Sequence, residues 1–388
     1  MSCRVPRIIL ALAGMTFCLA RAQGPPANDT SRTTADRLED AGWWPTKGDP
    51  PRSQYSGDAT CVGCHRRIAP LQKSTPMYHA SVRAAQSEIL ASHLPLRFQE
   101  GGFSTLVITS PEGATFTVAG SDGTTSLPAV WALGFKNGQT YILEKDGAYF
   151  ESRLSFFTKT QSLDITPGQT PEAPKNLESA LGRKMGIAEA ERCFSCHTTA
   201  SVTSKVLESE KAVPGVTCEA CHGPGAAHAA SMTANNPEQS TAIMDPADFS
   251  PSDSVDFCGA CHSTWADVVE THRKISLARI RFEPYGLEQS RCWGTSGDRR
   301  ITCAACHDPH QPLVHEPSAY DSKCLACHGL RTKSRGAHAA KTVCKVAARN
   351  CVTCHMPKYE LPEMHAAFTN HDIRVVRASA LDPGKLTP

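Results

Sequence analysis

Aromatic side chains are scarce in this chain: 5 Trp, 7 Tyr and 13 Phe among 388 residues, 6% in all. That is a thin supply for an ordinary core of this length. With 27 Gly and 27 Pro beside it, the shortage suggests that something other than side chains fills the interior. Neither sign of charge dominates. Lys plus Arg number 40 and Asp plus Glu 38, a formal net charge of +2, which excludes a broad electrostatic case for nucleic-acid binding. Beyond residue 22 no apolar run approaches the roughly 18–20 residues of a spanning helix. The mature chain is therefore expected to be soluble, with no membrane span.

Cysteine is abundant instead, with 18 residues. The chain is too long for a small disulfide-stapled scaffold, so these cysteines need another explanation. Residues 1–22 read as a secretory signal: Arg4 and Arg7, then the apolar run Ile8 to Leu19, then Ala20-Arg21-Ala22 as a small-x-small cleavage site. Cys3 and Cys18 would leave with it. The expected location is across the inner membrane: periplasmic, extracellular or outer-membrane associated.

Of the 16 remaining cysteines, 14 fall in seven C-x-x-C pairs, and His follows every pair. These are Cys61, Cys64 and His65; Cys193, Cys196 and His197; Cys218, Cys221 and His222; Cys258, Cys261 and His262; Cys303, Cys306 and His307; Cys324, Cys327 and His328; and Cys351, Cys354 and His355. Two thiols three residues apart lie on one side of a helical turn, where they can add to the vinyl groups on one haem edge. The adjacent His can swing under the ring as the proximal iron ligand. Zinc also takes paired C-x-x-C but does not require His next in sequence. His is 16 of 388 residues, so seven chance matches have a probability of roughly one in 10^10. A disulfide oxidoreductase predicts one such pair. The expected cofactor is seven covalently attached haem c groups, which would supply the missing aromatic area. A chain so built should stay largely unfolded until haem is attached.

Nine histidines lie outside the motifs. Distal ligand candidates are His79, His228, His272, His310, His338, His365 and His371; His93 and His315 complete the nine. His310 lies too close to His307 to bind the same iron from the other face, so it should reach a neighbouring haem. The same holds for His228 after His222. Bis-His ligation favours low potentials and leaves no open coordination position. Cys292 and Cys344 remain. A disulfide between them and two unpaired thiols near haem edges are both open readings.

Residues 23–57 read as a flexible lead-in and 58–97 as the first haem segment, with a helix over Ser81–Ser92. Residues 98–170 lack Cys and alternate strand-like runs with turn signals such as Ser121-Asp122-Gly123, Lys136-Asn137-Gly138 and Lys145-Asp146-Gly147, predicting an antiparallel meander of four or five strands. Residues 171–290 carry haems two to four, 291–375 haems five to seven, and 376–388 a tail. From His197 to His355 the motif histidines are 25, 40, 45, 21 and 27 residues apart, short enough to force neighbouring haems into contact.

The stretches Pro214 to His228, Cys303 to His310, and Cys351 to Pro357 with the tail to His371 resemble multihaem cytochromes of the c-554 type. So does Cys61 to His65 followed by His79. The resemblance spans roughly 58–375. It implies stacked haems, a role in respiratory electron transfer, and distal ligation by His228 and His310. No C-x-x-C-K motif of the pentahaem nitrite reductases is present, nor an eighth motif of the octahaem hydroxylamine-oxidising enzymes. The expected fold is mainly α and irregular, a multihaem cytochrome c fold built around stacked haems, with a small antiparallel β insert. The expected function is a heptahaem carrier moving electrons one at a time in a respiratory chain, made by the cytochrome c maturation machinery and served by redox partner proteins. The alternatives are a multihaem reductase of a small nitrogen or sulfur compound at one open-site haem, and a structural haem subunit of a larger complex or filament.

Overall fold

The computed structural model describes residues 50–93, 95–110, 113–234, 243–264, 280–290, 292–293, 301–328, 344 and 346–376. The expectation of a mainly helical chain with a small β insert is overturned. Strand makes up 27% of the described residues against 37% helix, and nine strands form one large, nearly closed antiparallel sheet.

A meander builds that sheet in simple order: β2 (Leu96–Glu100), β3 (Phe103–Ser110), β4 (Gly113–Gly120), β5 (Gly123–Leu133), β6 (Gly138–Lys145), β7 (Ala148–Phe157) and β8 (Ser162–Ile165). Two strands come from outside the meander. β1 (Ser81–Arg83) pairs with β5, and β9 (Gly182–Lys184) pairs with β7. The turns at Ser121-Asp122, around Asn137 and at Asp146-Gly147 join consecutive strands, as their turn chemistry requires. β5 carries Pro128, a residue that argues against a central strand. Its missing N–H is tolerated because pairing toward β6 begins only at Ala129. Residues 81–83, expected as helix, are strand. They take the β5 segment Trp131–Leu133 as partner, and this tertiary pairing overrides local propensity.

The sheet has a side-chain core of its own, which is why the composition argument failed here. Phe116, Tyr141, Phe156, Leu143, Leu154, Val107 and Val118 are fully buried, sealed by Leu90 of the Glu88–His93 helix and by Ala180 and Leu181 of the Leu177–Leu181 helix. Ten of the 25 aromatics fall between residues 96 and 184, enough to fill this core. Arg153 on β7 donates to Glu100 at the end of β2 (Nε to Oε2, 2.9 Å) and to the carbonyls of Thr170 and Glu172. This closes the gap between the ends of the meander.

A second cluster joins the sheet to the haem-motif region. Trp131, Leu133 and Ile142 pack with Met185, Ala190, Phe194 and Ala212. Phe194 lies edge-on to Trp131 (ring centres 5.5 Å) and against Tyr149 (5.6 Å), so the Ile187–His197 helix is seated on the sheet. Ser81 Oγ donates to the His197 carbonyl (2.6 Å) and accepts from Gly215 N (2.9 Å), tying β1 to the second and third motifs. A C-terminal hairpin, β14 (Lys358–Leu361) and β15 (Ala366–Thr369), touches the sheet through Lys159–Glu360 and Asp164–His365 ion pairs. Four short strands, β10 to β13, form two small pairs between residues 198 and 214. Among the described residues no helix is long and apolar enough to cross a membrane.

Candidate haem-binding sites

All seven C-x-x-C-H segments lie on helices or at their ends: Asp58–Cys64, Ile187–His197, Cys218–His222, Pro251–His262, Cys303–Cys306, Asp321–His328 and Cys351–His355. Helical backbone sets the two thiols of each motif on one side, as vinyl addition requires. Local signals explain several starts. Ser250 caps the fourth helix by accepting from Asp253 N, with Pro251 in the first turn, and Thr302 caps the fifth through Ala305 N. The motifs meet in pairs. The leading thiols Cys61 and Cys218 lie close enough to perturb one another electrostatically, as do Cys258 and Cys303, and Cys324 and Cys351. Cys196 Sγ lies 3.6 Å from the Ala260 carbonyl, bringing the second motif beside the fourth.

Three proximal histidines face a histidine from elsewhere in the chain. Ring centres are 6.4 Å apart for His65 and His228, 6.0 Å for His222 and His310, and 6.2 Å for His307 and His371. An imidazole nitrogen lies about 2 Å from a metal it binds and about 1 Å from its own ring centre, so two imidazoles trans across one iron have centres roughly 6 Å apart. The spacing of all three pairs fits an iron between them. Direct ring stacking alone would bring the centres closer.

The other ring nitrogen of several motif histidines is fixed by the fold. Nδ1 of His197 bonds the Ala80 carbonyl (3.0 Å), that of His222 the Met244 carbonyl (2.9 Å) and that of His355 the Arg374 carbonyl (2.9 Å). Donation from Nδ1 to a carbonyl selects the tautomer that leaves Nε2 for iron. His262 differs: its Nδ1 lies 3.4 Å from Glu283 Oε2. Desolvation alone would push the Glu283 carboxyl up, but His262, with His371 and Arg281 nearby, brings it down to about 2.

Residues 153–223, which include the second and third motifs, match the family model described as cytochrome c554 and c-prime. Over that segment the chain is similar to multihaem c-type cytochromes. That likeness supports covalently bound haem c and electron transfer, the reading the motifs themselves suggest. A solved structure, that of outer cell wall cytochrome OcwA, resembles the protein over 83% of this chain and 80% of that one, with 15% identity and a TM-score of 0.48. No curated protein matches the chain.

The remaining distal candidates are placed differently. His79 stacks on Phe135 (4.8 Å), with Nε2 2.9 Å from the Lys73 carbonyl. His365 Nε2 lies 2.7 Å from Asp164 Oδ2, and His315 Nε2 lies 2.7 Å from Lys136 Nζ. His93 engages both nitrogens, with the Ile89 carbonyl and with Gln161. His272 and His338 lie outside the described residues, as do the signal segment and most of the lead-in. Cys292 is half-buried and Cys344 exposed, and both are free thiols.

Sequence reasoning missed the carboxylates that hold the chain's motifs together. Glu219, inside the third motif, accepts from Ser56 N (2.7 Å), Gly57 N (2.9 Å) and Gly225 N (2.8 Å), so it clamps the start of the first motif helix to the third. Asp321 accepts from Asn350 N (2.8 Å) and Cys351 N (2.9 Å), joining the sixth motif to the seventh. Motif spacing carries no signal for either role, because the contacts that join one motif to another span 162 to 163 residues for Glu219 and 29 to 30 for Asp321.

Proposed function

We propose that the protein is an exported heptahaem carrier that moves electrons one at a time between redox partner proteins in a respiratory chain. The observation that carries this reading is the set of three cross-chain histidine pairs at 6.0–6.4 Å, each built around a motif histidine. Each motif's cysteines would hold one haem by thioethers, and its histidine would bind the iron. Haem, when attached, supplies reversible one-electron iron chemistry. The protein orients the imidazoles, fixes their tautomers and sets the polarity around them. Export rests on the signal-like segment at residues 1–22, which points to the periplasm or the cell exterior.

Intact mass of the secreted protein together with low-temperature electron paramagnetic resonance tests this. Seven haem additions and only low-spin ferric signals are expected. Fewer additions sink the heptahaem count, and a high-spin signal accompanied by substrate turnover sinks the pure carrier.

One observation favours a second reading, a multihaem oxidoreductase of a small nitrogen or sulfur compound at one open-site haem. His93, His315 and His365 have Nε2 engaged by other side chains. His79 Nε2 is likewise taken by the Lys73 carbonyl, and removing these four from nine leaves five distal candidates for seven irons. The same resonance experiment separates the two, since a pentacoordinate or water-bound iron is high-spin.

A further inference from the structure

Glu283 opens the Glu283–Glu288 helix, whose Pro284, Tyr285, Gly286 and Leu287 are buried. A Cβ at Gly286 would stand 3.1 Å from Asp372 N and 3.2 Å from His371 Cβ, tight enough that the neighbours would have to give, so glycine eases the close approach of the helix to residues 371–372. The helix is thereby fixed against the segment that presents His371. Oε2 of Glu283 is shielded from solvent and has no hydrogen bond of ordinary geometry. His262 Nδ1, at 3.4 Å, is its ion-pair partner. Arg281, the nearest cation in sequence, has its guanidinium over the rings of Phe282 and Phe368. A buried carboxylate oxygen without a partner is costly, and a short closure of the 3.4 Å gap would satisfy it.

We propose that Glu283 is a positioning and tuning residue for the fourth haem, accepting a hydrogen bond from Nδ1–H of His262 and thereby holding that iron at a lower potential than its neighbours. The proposal rests on His262 being a haem ligand. His197, His222 and His355 donate to neutral carbonyls, whereas a carboxylate is a stronger acceptor. It polarises the Nδ1–H bond, leaving the proton on nitrogen, and makes Nε2 more basic. A more basic ligand stabilises ferric over ferrous iron, and the nearby negative charge acts in the same direction. The fourth haem would then resist reduction, so electrons would pass through it quickly and not collect there.

The test is spectropotentiometric titration of the full holoprotein with Glu283→Gln and Glu283→Asp, with haem-peptide mapping of each. With Glu283→Gln one of the seven components moves up by at least tenfold in its reduction equilibrium, about 59 mV for one electron, and the other six stay. Glu283→Asp moves the same component less, because the carboxylate remains but lies farther from Nδ1. A titration unchanged in Glu283→Gln overturns the proposal, as does an equal shift of all components. If Glu283→Gln fails to load haem, Glu283→Asp decides: a component unmoved from the unsubstituted protein overturns the proposal. A peptide from the unsubstituted protein bearing Cys258 and Cys261 without haem would sink the haem reading itself.

Discussion

Glu219 sits at a position the C-x-x-C-H spacing leaves open, yet three backbone N–H groups converge on its carboxylate. Hydrogen bonds to a charged acceptor are worth about 1.5–3 kcal/mol each, and orphaned buried donors cost more than the bonds alone. Glu219→Ala is expected to destabilise the holoprotein by roughly 3–5 kcal/mol in chemical denaturation. Glu208 works at the surface side of the same region. Lys211, Thr203 and Arg52 hydrogen-bond its carboxylate and hold it down to about 2. Its stabilising share is complete above the ordinary carboxylate range and is lost as pH falls from about 4.5 toward about 2. Acid unfolding followed by circular dichroism should therefore lose part of its steepness in that window with Glu208→Gln. At this scale the motif cysteines and histidines were the readable candidates, because covalent haem attachment demands fixed spacing. The carboxylate clamps were not, because one acidic residue reads the same whether solvated or buried.

The sheet and the second motif helix stand or fall together. Phe194, fully buried, joins that helix to Trp131 and Tyr149. Phe194→Ala removes the ring and leaves a cavity between two elements, an expected loss of about 3–5 kcal/mol. Haem content of the Cys193–Cys196 peptide should fall with it, measurable by peptide mapping. The turn dipeptides made most of the meander readable. What concealed the rest was pairing: β1 and β9 are three residues each and gain their identity from β5 and β7. Local pattern over three residues carries too little information to outweigh a helical reading.

For the whole molecule, two kinds of core coexist. The sheet buries its own aromatics, while the motif helices are short and hold few fully buried apolar residues outside the second and fourth. With all motif cysteines replaced by Ser, the chain is expected to keep the strand signal and slow amide exchange of β3 to β7 while the remaining motif helices lose protection. Uniform loss of protection would instead show that haem organises the sheet as well.

The repeated pentapeptides by themselves point to haem and to the residues that would tether it, since thioether chemistry and proximal ligation act over five consecutive residues. Tertiary structure alone decided that His228, His310 and His371 face His65, His222 and His307, and that nine strands form one sheet beside the motifs. Those outcomes depend on contacts between residues far apart in the chain, whose register is set by packing and backbone pairing.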